Sequence, residues 1–346
     1  MTDIVPMPRR ERGAALLTVL LLVAVMAVVS ATALERLTLA TRIAASSNAM
    51  DQARQFQGAA EALAVRRIDT LLAQNADQTL LAGGWHGRPF TLPLPGGSAD
   101  LVLTDGGNCF NLNSLVSDAS AGAASQRPLA IEQFAALMRS VGVGAEDAAR
   151  IAASSADWID PDQMVAGAGA EDAAYASSDG GANAARRTAD HPMADASEIS
   201  AIAGVTPPIA RRIAPWLCAL PVADLSPINV NTLLPEQAPL LQMLVPGRGG
   251  GTAYQSTALS PQQARAHLAA RPIAGYGSVN TFWTGPTMAG ITPGGDAAAQ
   301  VQLKTRWFHL STTIHLGDVV LTGEALIDAD GTQPARVVRR RWGPAA

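Results

Sequence analysis

From Ala14 to Leu34 the chain runs for 21 residues without a charge. As a helix rising about 1.5 Å per residue, this stretch is long enough to cross the hydrocarbon layer of a membrane. Arg9, Arg10 and Arg12 precede it. The positive-inside rule keeps those guanidiniums cytoplasmic, so everything after Leu34 is expected on the far side of an inner membrane. A cleaved secretory signal is the competing reading, because "SATA" offers small residues at Ala31 and Ala33 and would release a soluble chain beginning at Leu34. Against it, the apolar run is longer than an ordinary signal core, and the helical pattern continues with no breaker until Gly58. Phe56, Ala60, Leu63, Ala64, Ile68, Leu71 and Leu72 then recur at helical spacing, which predicts one apolar face that must pack on something. The expectation is a single helix of roughly 60 residues, its first third in lipid or among like helices and its last third on a globular domain.

Two sheet-forming regions flank a long middle. "RPFTLPLP" and "SADLVLTD" read as strands joined by a "PGG" turn. Near the other end, Phe308, Leu310, Thr312, Ile314 and Leu316 alternate with His309, Ser311, Thr313 and His315, the period of a half-buried strand. Gly317-Asp318 and Asp330-Gly331 are turn signals, so three antiparallel strands are expected up to Trp342. Between the two regions, Asp105 to Ala299 shows helical periodicity, much alanine and almost no strand signal. It reads as an all-α domain inserted between strands of an α+β unit. "FNLNSL" from Phe110 and "INVNTL" from Ile228 form an internal repeat, in which paired asparagines are placed to cap helix starts.

The segment "ASEISAIAGVTPPIARRIAPWL" resembles a helix-hairpin-helix element, whose glycine turn can offer backbone N–H groups to phosphate, with Arg211 and Arg212 nearby. A membrane-anchored DNA receptor is the function this would imply. The net charge of −4 and the expected location outside the cytoplasm argue against it, so no nucleic acid is expected as a partner. Catalytic signatures are missing: the sequence has no G-x-S-x-G, no H-E-x-x-H and no Walker A lysine, and "GRGGGT" from Gly247 reads as a loop. A non-enzymatic protein is expected.

Six carboxylates, Asp157, Asp160, Asp162, Glu171, Asp172 and Asp179, fall close together around "GAGA". Such a loop is either solvated or folded around a hard, oxygen-ligated cation. Asp160, Asp162 and Glu171 match the first, third and twelfth positions of an EF-hand loop, but Met164 and Val165 break the fifth and sixth, so the loop is not an EF-hand. Cys109 and Cys218 are the only cysteines. Outside the cytoplasm they are expected to form one disulfide, two buried thiols being the alternative.

The basic leader ending in glycine, "RRERG", followed at once by the apolar helix, resembles the prepilin-peptidase signal of type IV pilins and type II secretion pseudopilins. Pilin-like proteins usually carry glutamate as the fifth residue after the cut; here that residue is Thr18. This absence, together with "CFNLNSL", "DWIDPDQ", "GAEDAAY", "HPMADASEISAIAGVTP", "PWLCALP" and "INVNTL" in order, makes the chain similar to the K-type minor pseudopilins of type II secretion over essentially its whole length. The resemblance implies cleavage between Gly13 and Ala14 by prepilin peptidase, with methylation, and a division into a leader (1–13), a transmembrane and fibre-core helix (14–34), a pilin-like helix with the first strands (35–104), the inserted helical domain (105–299) and the last strands (300–346). It further implies a single pass through the inner membrane with the bulk in the periplasm. Expected partners are the I- and J-type minor pseudopilins and the inner-membrane secretion platform, at the tip of the pseudopilus. The acidic loop resembles a calcium-binding loop of the family, with Asp160, Asp162, Glu171 and Asp172 as the implied ligands.

Overall fold

The computed structural model describes residues 9–117, 125–176, 187–246 and 258–343, with side chains from residue 14 onward. One helix, α1 (Arg9–Gln74), runs unbroken through the apolar stretch and past Leu34. At about 1.5 Å per residue it is roughly 100 Å long. Its last third lies across a five-stranded antiparallel sheet in the order β1 (Pro89–Leu94), β2 (Gly97–Asp105), β9 (Trp307–Leu316), β10 (Val319–Asp328), β11 (Arg336–Trp342). The fold is α+β, and the alternation expected for β9 appears as alternating burial along the strand.

The helix approaches the sheet closely because its packing face is small. Ala53, Ala60, Ala64 and Ile68 bury against Leu101, Leu103, Phe308, Leu310, Ile314 and Ile327. Leu63, expected on this face, is instead 41% exposed and looks toward β1. Two polar residues take places within the buried face. Gln57 accepts a hydrogen bond from the Thr312 hydroxyl, and buried Glu61 accepts one from Arg340 Nε at 2.6 Å. Neither was signalled by the apolar pattern. Gly323 of β10 leaves room for the Gln57 amide, since a Cβ would stand 2.9 Å from Gln57 Nε2.

The chain leaves the sheet at the end of β2 and returns at the start of β9, where Asp105 and Phe308 are cross-strand partners. At this same end of the sheet α1 finishes: Asp69 accepts a hydrogen bond from Ala335 N at 2.9 Å, and Thr79 N donates to Leu303 O at 2.8 Å. The inserted segment therefore sits at the end of the sheet farthest from the apolar run of α1.

The insertion is built in two halves of matching design. In the first, β3 (Phe110–Asn111) pairs in parallel with β6 (Leu217–Cys218); in the second, β7 (Ile228–Asn229) pairs in parallel with β8 (Val301–Gln302). These two-residue parallel pairs, and the antiparallel pair β4 (Val116–Ser117) with β5 (Ser125–Gln126), correct the all-α expectation in detail. The first half holds α2 (Pro128–Ser140), α3 (Ala145–Asp157), α4 (Asp172–Ala176) and α5 (Pro207–Ile213); the second holds α6 (Ala238–Leu244), α7 (Pro261–Ala269), α8 (Val279–Trp283) and α9 (Gly295–Gln300). Phe110 stacks on Phe134 at 4.7 Å within a core that includes Leu137, Ile151, Leu241 and Phe282.

The repeated asparagines do more than cap. Asn111 accepts from Asn113 N, as a cap should, but its amide also donates to the carbonyls of Val222 and Asp224. Asn113 clamps Met193 from both sides, accepting from its N–H at 2.7 Å and donating to its carbonyl at 2.9 Å. In the second half Asn231 clamps Tyr276 the same way, at 2.7 and 3.3 Å. Each clamp fixes the chain just ahead of a side-chain-capped turn, at Asp195 and Ser278 respectively. Both asparagines are buried, so every one of these bonds replaces water that cannot reach the site.

Candidate functional site

Sulfur atoms of Cys109 and Cys218 are 1.91 Å apart in a disulfide that ties β3 to β6. Beside it, buried Asp105 joins the sheet to the insertion, accepting from Gly107 N at 2.9 Å and from the hydroxyls of Thr232 and Thr305. Burial pushes the Asp105 carboxyl upward, and these donors pull it back down.

The carboxylates singled out in the sequence are divided. Oxygens of Asp160, Asp162 and Glu171 converge within 4.8 Å of one another. Asp172 does not join them. It starts α4 and turns to Thr188, whose N–H and hydroxyl both donate to its Oδ1 at 2.8 and 2.9 Å, while its Oδ2 lies 4.0 Å from Arg187 Nε. Asp179, like the loop from Gly247, lies outside the described residues. The place expected for Asp172 is flanked instead by Asp157, which accepts from Ala166 N at 3.3 Å. Gln126 of β5 donates to Asp157 Oδ1 at 2.6 Å and to Asp160 Oδ2 at 2.8 Å. The loop closes over this group at Gly169, where a Cβ would fall 1.9 Å from Asp157 Oδ2.

Glu171 is 3% exposed and Asp160 2% exposed, and among the described residues Glu171 Oε1 and Oε2 and Asp160 Oδ1 have no hydrogen-bond donor. Burial, then repulsion from Asp157, Asp160 and neighbouring carboxylates, pushes the Glu171 carboxyl up to about 8. Asp160 rises to about 6, mainly by burial, with Gln126 opposing and Asp162 and Asp157 adding repulsion. Buried oxygens without donors, in a cluster of one charge sign, fit a hard cation that would supply the missing positive charge. Gln126 and Asp157 were not signalled by the EF-hand spacing. Only the fold brings β5 against the end of α3.

At the other extreme of the molecule, α1 from Ala14 to Ile43 is exposed on all sides, with Leu16 at 65% and Leu22 at 62%. This helix is long and apolar enough to cross a membrane. Gly13 and Ala14 lie within it, and the Thr18 hydroxyl donates to the Ala15 carbonyl at 2.9 Å. In the helix-hairpin-helix-like element Gly204 has a φ of +87°, and Arg212 donates to the Gly142 carbonyl at 2.6 Å, so one of the two candidate phosphate ligands is already used inside the fold.

Comparison with known proteins draws these features together. Two family models, both described as type II secretion system (T2SS), protein K, match residues 108–222 and 228–306. The chain belongs to the type II secretion system protein K family. The boundary between the two matches falls between the two halves of the insertion, each match holding one parallel strand pair. The chain is 29% identical over 341 residues to the type II secretion system protein K of Pectobacterium carotovorum subsp. carotovorum, covering 97% of this chain and 98% of that one. With the protein K of Klebsiella pneumoniae it is 30% identical over 339 residues, at 97% and 98% coverage. Among solved structures, the crystal structure of the GspK-GspI-GspJ complex from the enterotoxigenic Escherichia coli type 2 secretion system includes a chain that matches with a TM-score of 0.72 and 29% identity. That match covers 87% of this chain and 99% of the other. As a protein K, the chain is a minor pseudopilin, a structural component of the secretion machinery.

Proposed function

We propose that this minor pseudopilin initiates and caps the fibre of its secretion system, without enzymatic activity of its own. The observation that carries the reading is the position of the insertion at the end of the sheet opposite the apolar stretch of α1. A subunit added ahead would have to occupy the space that the insertion fills. Thr18 adds a second reason: it has no carboxylate to neutralise the N-terminal amine of a subunit lying ahead, and an unpaired charge is expensive among packed apolar helices.

In this reading prepilin peptidase cuts between Gly13 and Ala14, α1 is retained as the single inner-membrane anchor, and the remainder stands in the periplasm. The partners are the I- and J-type minor pseudopilins, consistent with the assembly named for the structural relative, together with the inner-membrane platform. Calcium bound by Asp160, Asp162 and Glu171 would order the loop between α3 and α4; its contribution is stability, through selective binding to the folded state.

The test is the N-terminus and intact mass of membrane-extracted protein made with and without prepilin peptidase. The expected result is a chain beginning at Ala14 only when the peptidase is present. A soluble chain beginning at Leu34 would overturn the anchored-tip reading. A chain deleted from Asp105 to Ala299 tests the steric part: it is expected to lose control of fibre growth, and normal control would refute steric capping.

A further inference from the structure

We propose that the groove between α1 and the β1 side of the sheet is the seat of a partner segment with apolar side chains flanked by carboxylates, contributed by a neighbouring pilin-like subunit; this rests on the assignment of I- and J-type subunits as partners. The sheet packs on α1 mainly through β9 and β10, and toward β1 it diverges from the helix. The gap has a volume of about 610 Å³. Its walls are Leu63 and Leu71 of α1 and Phe90 and Leu101 of the sheet, with Trp85 at its base. Leu63 and Phe90 are 41% and 45% exposed, so two large apolar side chains of the globular part face this gap half uncovered.

Charge decides what the occupant must carry. On its β11 side α1 presents acids that are already engaged: Glu61 with Arg340, and Asp69 with the Ala335 N–H. Along the groove it presents Arg67 and, on the crest between its two sides, Arg66, with Arg88 across the gap. Among the described residues none of these three guanidiniums has a carboxylate within ion-pairing distance. Arg67 lies over the Phe90 ring at 5.8 Å, an arrangement that leaves its N–H edges free. An apolar trough rimmed by three unpaired cations is complementary to an acidic, apolar-faced segment. The trough extends along α1 from Leu63 to Gln74, roughly 17 Å or three helical turns. Pro89 and Pro93 of β1 lack the N–H groups that a sixth strand would use. The occupant therefore inserts side chains and does not extend the sheet.

The test uses the full-length chain in detergent with the purified I-type and J-type subunits of the same system, at low and high salt. The double variant R66E/R67E, and separately T70W, which fills the groove from an exposed helix position, are compared with R211E on the insertion. The expected result is a wild-type complex that R66E/R67E weakens by about tenfold or more at low salt and less at high salt, that T70W also weakens, and that R211E leaves unchanged. A photo-crosslinking residue at Phe90 is expected to capture an acidic segment of one partner, and one at Val320 to capture none. If the wild-type complex forms but ignores both groove variants, and position 90 yields no crosslink, the groove proposal alone fails. If no wild-type complex forms with either subunit, the partner assignment fails and the groove proposal falls with it.

Discussion

Under the proposed cation binding, a chelated protein should become less stable as pH rises, the opposite of what salt-bridged carboxylates produce. In the metal-free fold Glu171 holds its proton up to about pH 8, against 4.5 for the ordinary side chain. A group whose proton affinity is raised by folding binds more protons in the native than in the unfolded state between those two values, so stability falls as pH climbs through that window. Each unit corresponds to about 1.4 kcal/mol, so the withdrawal by pH 8 is on the order of a few kcal/mol, and it is absent well below pH 4.5. Asp160 acts with the same sign between 3.8 and about 6. Calcium should reverse the trend: at a hundredfold excess over its Kd it adds about 2.7 kcal/mol, and its binding weakens as protons compete for Glu171 below pH 8. The assay is urea unfolding followed by tryptophan fluorescence at pH 5 and pH 8, with chelator or with calcium. Glu171→Gln supplies the control, since a neutral isostere should stabilise the metal-free chain at pH 8 and abolish most of the calcium response. A chelated protein with the same midpoint at both pH values, or an E171Q chain that keeps the full calcium response, would refute the reasoning.

Three further outcomes are expected. Replacing Cys109 and Cys218 by alanine removes a cross-link spanning 109 residues, which on chain-entropy grounds costs about 4–5 kcal/mol in unfolding free energy; an unchanged urea midpoint would contradict this. Asn113→Ala strips the buried Met193 N–H and the Met193 and Leu220 carbonyls of their partner and should cost about 3 kcal/mol or more, whereas loss of a simple cap costs about 1 kcal/mol; calorimetry separates the two. Arg340→Ala leaves buried Glu61 without its cation beneath α1 and should cost about 3 kcal/mol in unfolding free energy; a urea midpoint unchanged from wild type would contradict this.

The long helix and the last three strands were legible because each is governed by one strong local rule: an uncharged run for the first, period-two alternation between turn signals for the others. The carboxylate cluster was legible only in part. Asp160, Asp162 and Glu171 share an EF-hand-like spacing, but whether Asp172 turns toward them or away depends on Thr188, sixteen positions further on, and spacing cannot carry that information. Gln126 joins the site through a two-residue strand too short to leave a pattern. The asparagine repeat was visible in the sequence, yet its main work, gripping Met193 and Tyr276 some 80 and 45 residues away, is long-range and leaves only the local capping signature to be read. Leu63 fits the helical stripe but not the packed face, because the sheet diverges where it points.

The cross-strand pairing of Asp105 with Phe308 bears on the order in which this subunit can be completed. β2 and β9 form the central seam of the sheet, and the strands that meet there are separated by the whole insertion. Until β9 and β10 have been made, the alanine-rich face of α1 has only the β1–β2 hairpin to lie against, and Ile68 has no Phe308 or Ile327 to cover it. Closing so long a loop costs little more than closing a shorter one, provided that the insertion has first collapsed and brought its two ends together. The insertion thus acts as a clasp. A subunit in which it has not folded cannot fasten its sheet to its helix, and an incomplete chain would be left with an anchor and no head to present to the rest of the fibre.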